Sequence, residues 1–455
     1  MAAPVDRFLD AVRETLGAAH VLTDPELVAG YDVDWTGRFR GRTPAVVRPA
    51  DTAEVAAVVH AARREHVALV PQGGNTGLVG GSVPLEGEVV VSLRRLTSIG
   101  PVDAIGGQVT AGAGVTIADL DGHARAAGWA YGVDWGARDS ATVGGSIATD
   151  AGGVRFVRHG GTRRQLLGVT AVLGTGAVIS HLVGLEKDNT GYDLAGLLCG
   201  SEGTLGIVTA ARLRLVAAER DGVVALLAFA TTHDAVAATG PLRRLPGVDA
   251  IELIVGAGLR LAQEALGLTA PFPVRHAAHL LVEVTGAGCE ERLAAAVEDL
   301  TGVADAAVAL EPARRDDLWR LREAQAEAIA TLGAPHKLDV TLPARALAEF
   351  LDEVPAVVES IAPDARTWLF GHAADGNVHV NVTGLDPDDE SVDDAVLALV
   401  AARGGSISAE HGIGTAKVPW LHLNRSPAEI EAMRAIKAAL DPDGILNPGV
   451  LLPPA

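Results

Sequence analysis

Between Gly371 and Asn381 the chain reads Gly-His-Ala-Ala-Asp-Gly-Asn-Val-His-Val-Asn. Two imidazoles (His372, His379), a carboxylate (Asp375) and two amides (Asn377, Asn381) gather there around one turn signal, Asp375-Gly376-Asn377. Histidines on the two sides of a turn can converge. A second stretch, Ser408-Ala409-Glu410-His411-Gly412-Ile413-Gly414, adds a carboxylate beside a further imidazole. Two imidazoles and a carboxylate with an open position suit a catalytic divalent cation such as zinc, manganese or iron. An imidazole that titrates near neutral pH is suited to moving a proton. Singly, each feature is ordinary: a lone histidine in a strand is usually packed or hydrogen-bonded, and Glu-His pairs are common at helix edges. Their joint presence with glycines points to a site.

A different chemistry is written in the first half. Pro71-Gln72-Gly73-Gly74-Asn75-Thr76-Gly77-Leu78-Val79-Gly80-Gly81 carries more glycine than a surface turn needs. Such a backbone adopts positive φ and approaches a ligand closely, so that consecutive N–H groups converge on a pyrophosphate. A second cluster of small and hydroxyl residues runs from Ser140 to Gly153. A third comprises Lys187 to Leu194 and Gly200-Ser201-Glu202-Gly203-Thr204-Leu205-Gly206. None is a Rossmann GxGxxG after a first strand, and no Walker A sequence is present.

The elements that must position these groups fall into two textures. The first half is Gly- and strand-rich. An amphipathic helix carries Phe8, Val12 and Leu16 on one face, and a helix starts at the N-cap pair Asp51-Thr52. Strands are expected at 67–71, 89–93, 108–111 and 206–216, with a helix over 117–128. Leu166 to Leu185 lacks a formal charge over about a membrane-span length. Its glycines and the Gly174-Thr175-Gly176 turn predict two buried strands instead. After a linker at Ala217 to Gly222, strands (223–230, 250–255, 279–284) alternate with helices (233–243, 288–301, 313–331, 344–358), a second α+β domain. Arg322 falls in a helical stretch, Lys337 in the strand-like KLDVTLP.

The chain has 455 residues, enough for more than one core, and a net charge of −20 that repels a phosphate backbone and argues against nucleic acid. Its two cysteines, Cys199 and Cys289, form no CxxC and no iron–sulfur motif, which fits a reducing compartment. Charges among the apolar residues of the N-terminus leave no secretory core. A cytoplasmic protein without an integral membrane segment is expected.

Taken together, PQGGNTGLVGG, GGSIATDAGG and KDNTGYDL…GSEGTLGIVT resemble the FAD-binding domain of the vanillyl-alcohol-oxidase-like flavoproteins, closest to the D-2-hydroxy-acid dehydrogenases acting on D-lactate, glycolate or D-2-hydroxyglutarate. The resemblance runs from about residue 40 to the C-terminus. It implies an α+β chain. A two-subdomain PCMH-type FAD-binding domain spans 41–218. An α+β substrate (cap) domain with an antiparallel sheet spans 219–405. An N-terminal helical segment covers 1–40, and a C-terminal helical segment, 406–455, returns to the FAD domain. The implied cofactor contacts are Pro71, Gly73, Gly74, Asn75, Thr76, Gly77, Gly80, Gly81 and Ser82 in the first cluster. In the second they are Ser140, Thr142, Gly144, Gly145, Ala148, Thr149, Gly152 and Gly153. Glu202, Gly206, Ile207, Val208 and Asn447 complete them. The first loop has no His or Cys, so the FAD is expected to be non-covalent. Asp150 stands where many relatives have Asn.

The stretches around His372 and Glu410 resemble the family's GHxGDGNxH and EHG signatures. Carried over, His372, His379 and Glu410 hold a divalent cation, zinc foremost, and His411 is the base. WxxRE and a lysine before a D-x-x-L/P strand make Arg322 and Lys337 ligands of the substrate carboxylate, with Asn381 facing the substrate. Ala374 replaces a usual Gly, and Ala326 stands where some relatives have a hydroxyl. The implied reaction is oxidation of a small D-2-hydroxy acid to the 2-oxo acid, with hydride passing to flavin N5. Without a nicotinamide motif, the electron acceptor is a quinone, an electron-transfer flavoprotein or an iron–sulfur partner. Such an acceptor would bring the protein to a membrane only peripherally. A homodimer is compatible with the sequence. Rival readings are the flavin subunit of a glycolate-oxidase-like complex, a flavin-free metal hydrolase, and a non-catalytic flavin binder.

Overall fold

A computed structural model describes residues 3–218 and 221–453. Glu219 and Arg220, inside the stretch read as a linker, lie outside the described residues. The chain divides into two units. One contains the residues up to 153, 160–218 and 410 onward; the other contains 154–159 and the stretch after 218 up to Ala409.

The first unit holds two four-stranded sheets. In one, Leu69–Gln72 and Val46–Val47 lie parallel to Val89–Ser92, and Val21–Leu22 closes the edge antiparallel. Val89, Val90 and Val91 are all fully buried, the continuous apolar run expected of a strand covered on both faces. Helix Thr52–Glu65 starts where Asp51 accepts the Glu54 N–H and ends with His66 in the left-handed region. Its Val55, Val58, Val59 and Ala62 pack with Phe8, Val12 and Leu16 of helix Pro4–Leu16. In the other sheet, Gln108–Gly112, Gly206–Arg214, Leu166–Leu173 and Val178–Ser180 run antiparallel in that order.

One expectation needs correction here. Leu166–Leu173 is a largely buried strand, but Val178–Ser180 is not: Val178 and Ser180 are exposed. It is the sheet's edge, with one neighbour only, so charge-free composition did not require burial on both faces. The C-terminal tail returns to the first sheet. Helix Pro427–Leu440 starts at a Ser426/Glu429 capping box. Beyond it, the Leu69 N–H donates to Ile445 O and the Asn447 N–H to Leu69 O, both at 2.8 Å.

The second unit is built on a seven-stranded, wholly antiparallel sheet. Its strands are ordered Val303–Ala309, Gly222–Phe229, Ala278–Thr285, Val248–Val255, Arg366–His372, Asn377–Thr383 and His336–Thr341. Helices Gly256–Leu266 and Pro312–Ala330 pack on one face through Leu259, Leu318 and Leu321 against Val224, Leu226, Ile254 and Leu281. The detached segment 154–159 joins this unit because Arg155 and Arg158 both reach the buried Asp249, Arg155 at 3.1 Å. No helix among the described residues is long and apolar enough to cross a membrane.

Candidate functional site

In the first unit the glycine clusters meet one another. A Cβ on Gly73 would lie 2.3 Å from Thr142 Oγ1, and one on Gly74 2.0 Å from Ser140 O, so the first cluster can lie against the second only as glycine. The Gly200 N–H donates to Ile147 O at 2.9 Å and the Glu202 N–H to Ala148 O at 2.7 Å, which fastens the third cluster to the second. Asn447 Nδ2 donates to Gly81 O at 2.8 Å and Glu202 O at 2.6 Å, joining the tail to the first and third. Asn75, Asp150, Glu202 and Asn447 all take positive φ, an unusual concentration for residues other than glycine. Asp150, the departure from Asn, closes helix Val143–Thr149 in this conformation, and its carboxylate accepts from Arg163 N and Nε at 2.9 and 2.8 Å.

This region fits a pyrophosphate. Arg94, which sequence reasoning did not single out, donates from Nε and Nη2 to the Gly73 and Gly74 carbonyls, each at 3.1 Å. The carbonyls are thereby engaged. Among the described residues no protein acceptor pairs with the N–H groups of Gly74, Asn75, Thr76 and Gly77. Donors left open beside hydroxyls are what an anion needs. Thr76, Gly80, Gly81 and Ser82 continue this loop, and Ser82 Oγ donates to Asn75 Oδ1 at 3.0 Å. Gly144, Gly145, Ala148, Thr149, Gly152 and Gly153 lie in or just after helix Val143–Thr149. Gly206, Ile207 and Val208 open strand Gly206–Arg214. Glu202 is buried, and its carboxylate accepts the Ile413 N–H at 2.8 Å and the Gly414 N–H at 2.7 Å. Burial pushes this carboxyl above the usual range despite those two donors.

In the second unit the alternation of strands carries the site. Register sets His372 opposite Glu252 and Asn377, His379 opposite Phe370 and Asp339, and Asn381 opposite Trp368 and Lys337. Because side chains alternate, all of these share one face. Gly376, at φ +78°, turns the hairpin between His372 and His379; a Cβ there would meet Leu342 O at 2.2 Å. Both histidines turn Nδ1 to a buried carboxylate, hydrogen-bonded in His372 and at a longer ion-pair distance in His379. His372 Nδ1 lies 2.7 Å from Glu252 Oε1, and His379 Nδ1 lies 3.5 Å from Asp339 Oδ1. Their rings meet edge to face with centroids 5.4 Å apart. A carboxylate at Nδ1 selects the tautomer whose Nε2 carries the lone pair, the usual support for a metal-binding histidine.

Arg322 reaches the same face from helix Pro312–Ala330. It is buried, with Nη2 2.9 Å from Glu252 Oε2 and its guanidinium over the Phe370 ring at 4.7 Å. Burial raises the Glu252 carboxyl, and the His372 and Arg322 charges more than offset it, leaving it below its ordinary value. Asp339, also buried, accepts Asn377 Nδ2 at 2.7 Å and the Ala409 N–H at 3.2 Å. Ala409 is peptide-bonded to Glu410, so the chain carries Glu410 and His411 past this carboxylate. Asp339, His379, Glu410 and His411 each offer a ligand atom within 4.8 Å of the others. His372 is not in that grouping. Asn381 is buried and Lys337 half-buried; Ala374 is buried in the hairpin turn, and Ala326 is exposed one turn after Arg322.

Glu252 and Asp339 also escaped the reading of the sequence. Both left a signal. Glu252 is a lone acid in the apolar run Ala-Ile-Glu-Leu-Ile-Val, where an unpaired charge would be costly. Asp339 lies two residues after Lys337 in a strand, hence on the same face.

Residues 43–181 match the FAD binding domain family, and residues 218–451, half of the chain, match the FAD linked oxidases, C-terminal domain. A D-2-hydroxyglutarate dehydrogenase of Xanthomonas citri pv. viticola is 38% identical over 97% of this chain and 96% of its own length. A putative mitochondrial D-lactate dehydrogenase of Schizosaccharomyces pombe is 33% identical over 94% of this chain and 85% of that one. Among solved structures, p-cresol methylhydroxylase with substrate bound superposes with a TM-score of 0.78 over 98% of this chain and 96% of that one, at 16% identity, a likeness of fold. The chain therefore belongs to the FAD-dependent D-2-hydroxy-acid dehydrogenases, within the FAD-linked oxidases.

Proposed function

We propose that the protein oxidises a small D-2-hydroxy acid to the 2-oxo acid, with D-2-hydroxyglutarate as the first substrate to try, using non-covalent FAD and a divalent cation, zinc before manganese or iron. The observation that carries the cation is the pair of histidines on one sheet face, each with a buried carboxylate at Nδ1, 2.7 Å from His372 and 3.5 Å from His379. The proposed ligands are His372, His379 and Glu410. Asp339, already engaged by Asn377 and Ala409, orients His379. When bound, FAD supplies the hydride acceptor and the cation a Lewis acid for the 2-hydroxyl.

The chain's own residues do the rest. The 41–218 region holds the dinucleotide through its glycine clusters and Asn447, and the 219–405 region presents the substrate groups. Arg322 and Lys337 hold the carboxylate, Arg322 with its planar fork. Asn381 faces the substrate. His411 takes the proton of the 2-hydroxyl. Electrons then leave to a quinone, an electron-transfer flavoprotein or an iron–sulfur partner, from a cytoplasmic enzyme, homodimeric where it self-associates. The relatives and the FAD-binding match leave the flavin-free hydrolase without support. In His411→Ala, FAD stays bound while the rate of flavin reduction by substrate falls by about 10²–10⁴; an unchanged rate removes His411 from the scheme.

A further inference from the structure

We propose that Glu252 is a positioning residue that locks the proposed cation ligand His372 and the proposed substrate cation Arg322 to each other through one carboxylate. The inference rests on the proposed roles of those two residues and adds a third that neither the motifs nor the resemblance supplied.

The geometry is specific. Glu252 lies in the fourth of the sheet's seven strands, directly opposite His372, so the two side chains rise side by side from one face. Oε1 is 2.7 Å from His372 Nδ1 and Oε2 is 2.9 Å from Arg322 Nη2. Oε1 is thus hydrogen-bonded to the imidazole, while Oε2 faces the guanidinium as a close ion pair outside hydrogen-bonding geometry. The Glu252 side chain is 1% exposed and that of Arg322 9%. The Phe370 ring beneath the guanidinium removes a further freedom. Consequently His372 is fixed as the Nε2-lone-pair tautomer, and the guanidinium is held between the carboxylate charge and the ring face.

Fold stability gives little reason for this arrangement. A buried ion pair is commonly no more stabilising than apolar residues of the same volume, and the neighbours of Glu252 in its strand are apolar. Both contacts of the carboxylate go to groups of the site instead. Removing a carboxylate that hydrogen-bonds the far nitrogen of a ligating histidine typically changes metal affinity by about 10–100-fold.

The test uses the full-length, FAD-loaded protein and the variants Glu252→Gln and Glu252→Asp. Zinc affinity is measured by competition with a chromophoric chelator. Acid binding is taken from the concentration dependence of anaerobic flavin reduction, and thermal unfolding is followed in parallel. Glu252→Gln is expected to weaken zinc by about 10–100-fold and to raise the apparent Kd of the acid, with FAD content at the parent level and partial recovery of both in Glu252→Asp. A variant that melts earlier but binds zinc and acid as the parent does would overturn the proposal. Should Glu252→Gln fail to fold, Glu252→Gln with Arg322→Gln removes the uncompensated charge. Weakened zinc in that double variant supports the role, and parental affinity overturns it. A parent that takes up no divalent cation sinks the metal reading and this inference together. A parent that binds one, alongside variants that bind it equally well, sinks only the role of Glu252.

Discussion

Replacing Gly74 by Ala adds one methyl group at the meeting of the first two glycine clusters. Its Cβ would stand 2.0 Å from Ser140 O, 2.8 Å from Ser140 C and 3.1 Å from Ala141 Cα. Ordinary contact begins near 3.4 Å, so the two backbones must part by about 1.4 Å, and backbone cannot swing aside as a side-chain end can. Overpacking of this kind costs about 1–3 kcal/mol. A shift of about 1 Å in groups that orient a ligand costs on the order of 10²-fold in what they do. The expected outcome is a protein that folds, melts earlier and holds FAD about 10–100-fold more weakly, the same interval of roughly 1.4–2.8 kcal/mol in binding. The assay is FAD affinity by fluorescence on stripped protein, beside a melting curve. Gly122→Ala is the control. Nothing lies within 4 Å of that position, which is inside helix Ile117–Ala126, so it should be neutral or stabilise by up to about 1 kcal/mol. Gly74→Ala with parental FAD affinity and melting temperature would refute the argument that the clusters pack as the cofactor's cradle.

Two further outcomes follow from buried charge. Burial pushes His279 down from 6.5 to about 4. A depressed histidine leaves stability intact above its unfolded value and withdraws it as pH falls from about 6.5 towards 4, which comes to about 2 kcal/mol at pH 5. Denaturant titrations at pH 7.5 and 5 should therefore show a smaller acid-side loss in His279→Leu than in the parent; equal losses would discard the assignment. Lys437 donates to Thr204 O and Leu446 O, each at 2.7 Å, and pairs with Asp441, whose side chain is fully buried. Lys437→Met is expected to lose about 3 kcal/mol in urea denaturation, with part regained by adding Asp441→Asn, because the buried carboxylate, left with only the Ile445 and Leu446 N–H donors, has no counter-charge.

The parts legible in the sequence were those with local signals. Asp51 and the 3.6-residue spacing of Val55, Val58, Val59 and Ala62 announce helix Thr52–Glu65, and the Asp375-Gly376-Asn377 turn announces the hairpin that brings His372 and His379 together. Strand Val303–Ala309, mostly alanine, carries weak strand propensity, and helix Gly256–Leu266 has good helix formers from Leu259 on but opens Gly-Ala-Gly without a capping side chain; both went unread. Pairings between distant strands are not local either. Nothing near Glu252 says that it stands opposite His372, 120 residues away, or that Arg322 will reach its other oxygen. Only the register of the sheet and the packing of a helix over its face decide that. The expected burial of Val178–Ser180 failed for a related reason: apolar content does not reveal which strand is an edge.

The most direct measurement is anaerobic bleaching of the bound flavin by D- and L-2-hydroxyglutarate, D- and L-lactate, glycolate and D-malate, each with and without prior chelation of divalent metal. The account predicts rapid bleaching by a D-acid, slow or no bleaching by its L-enantiomer, and loss of the reaction on chelation with recovery on adding zinc. A yellow protein that none of these acids bleaches, or one bleached equally by both enantiomers and indifferent to the chelator, would contradict it.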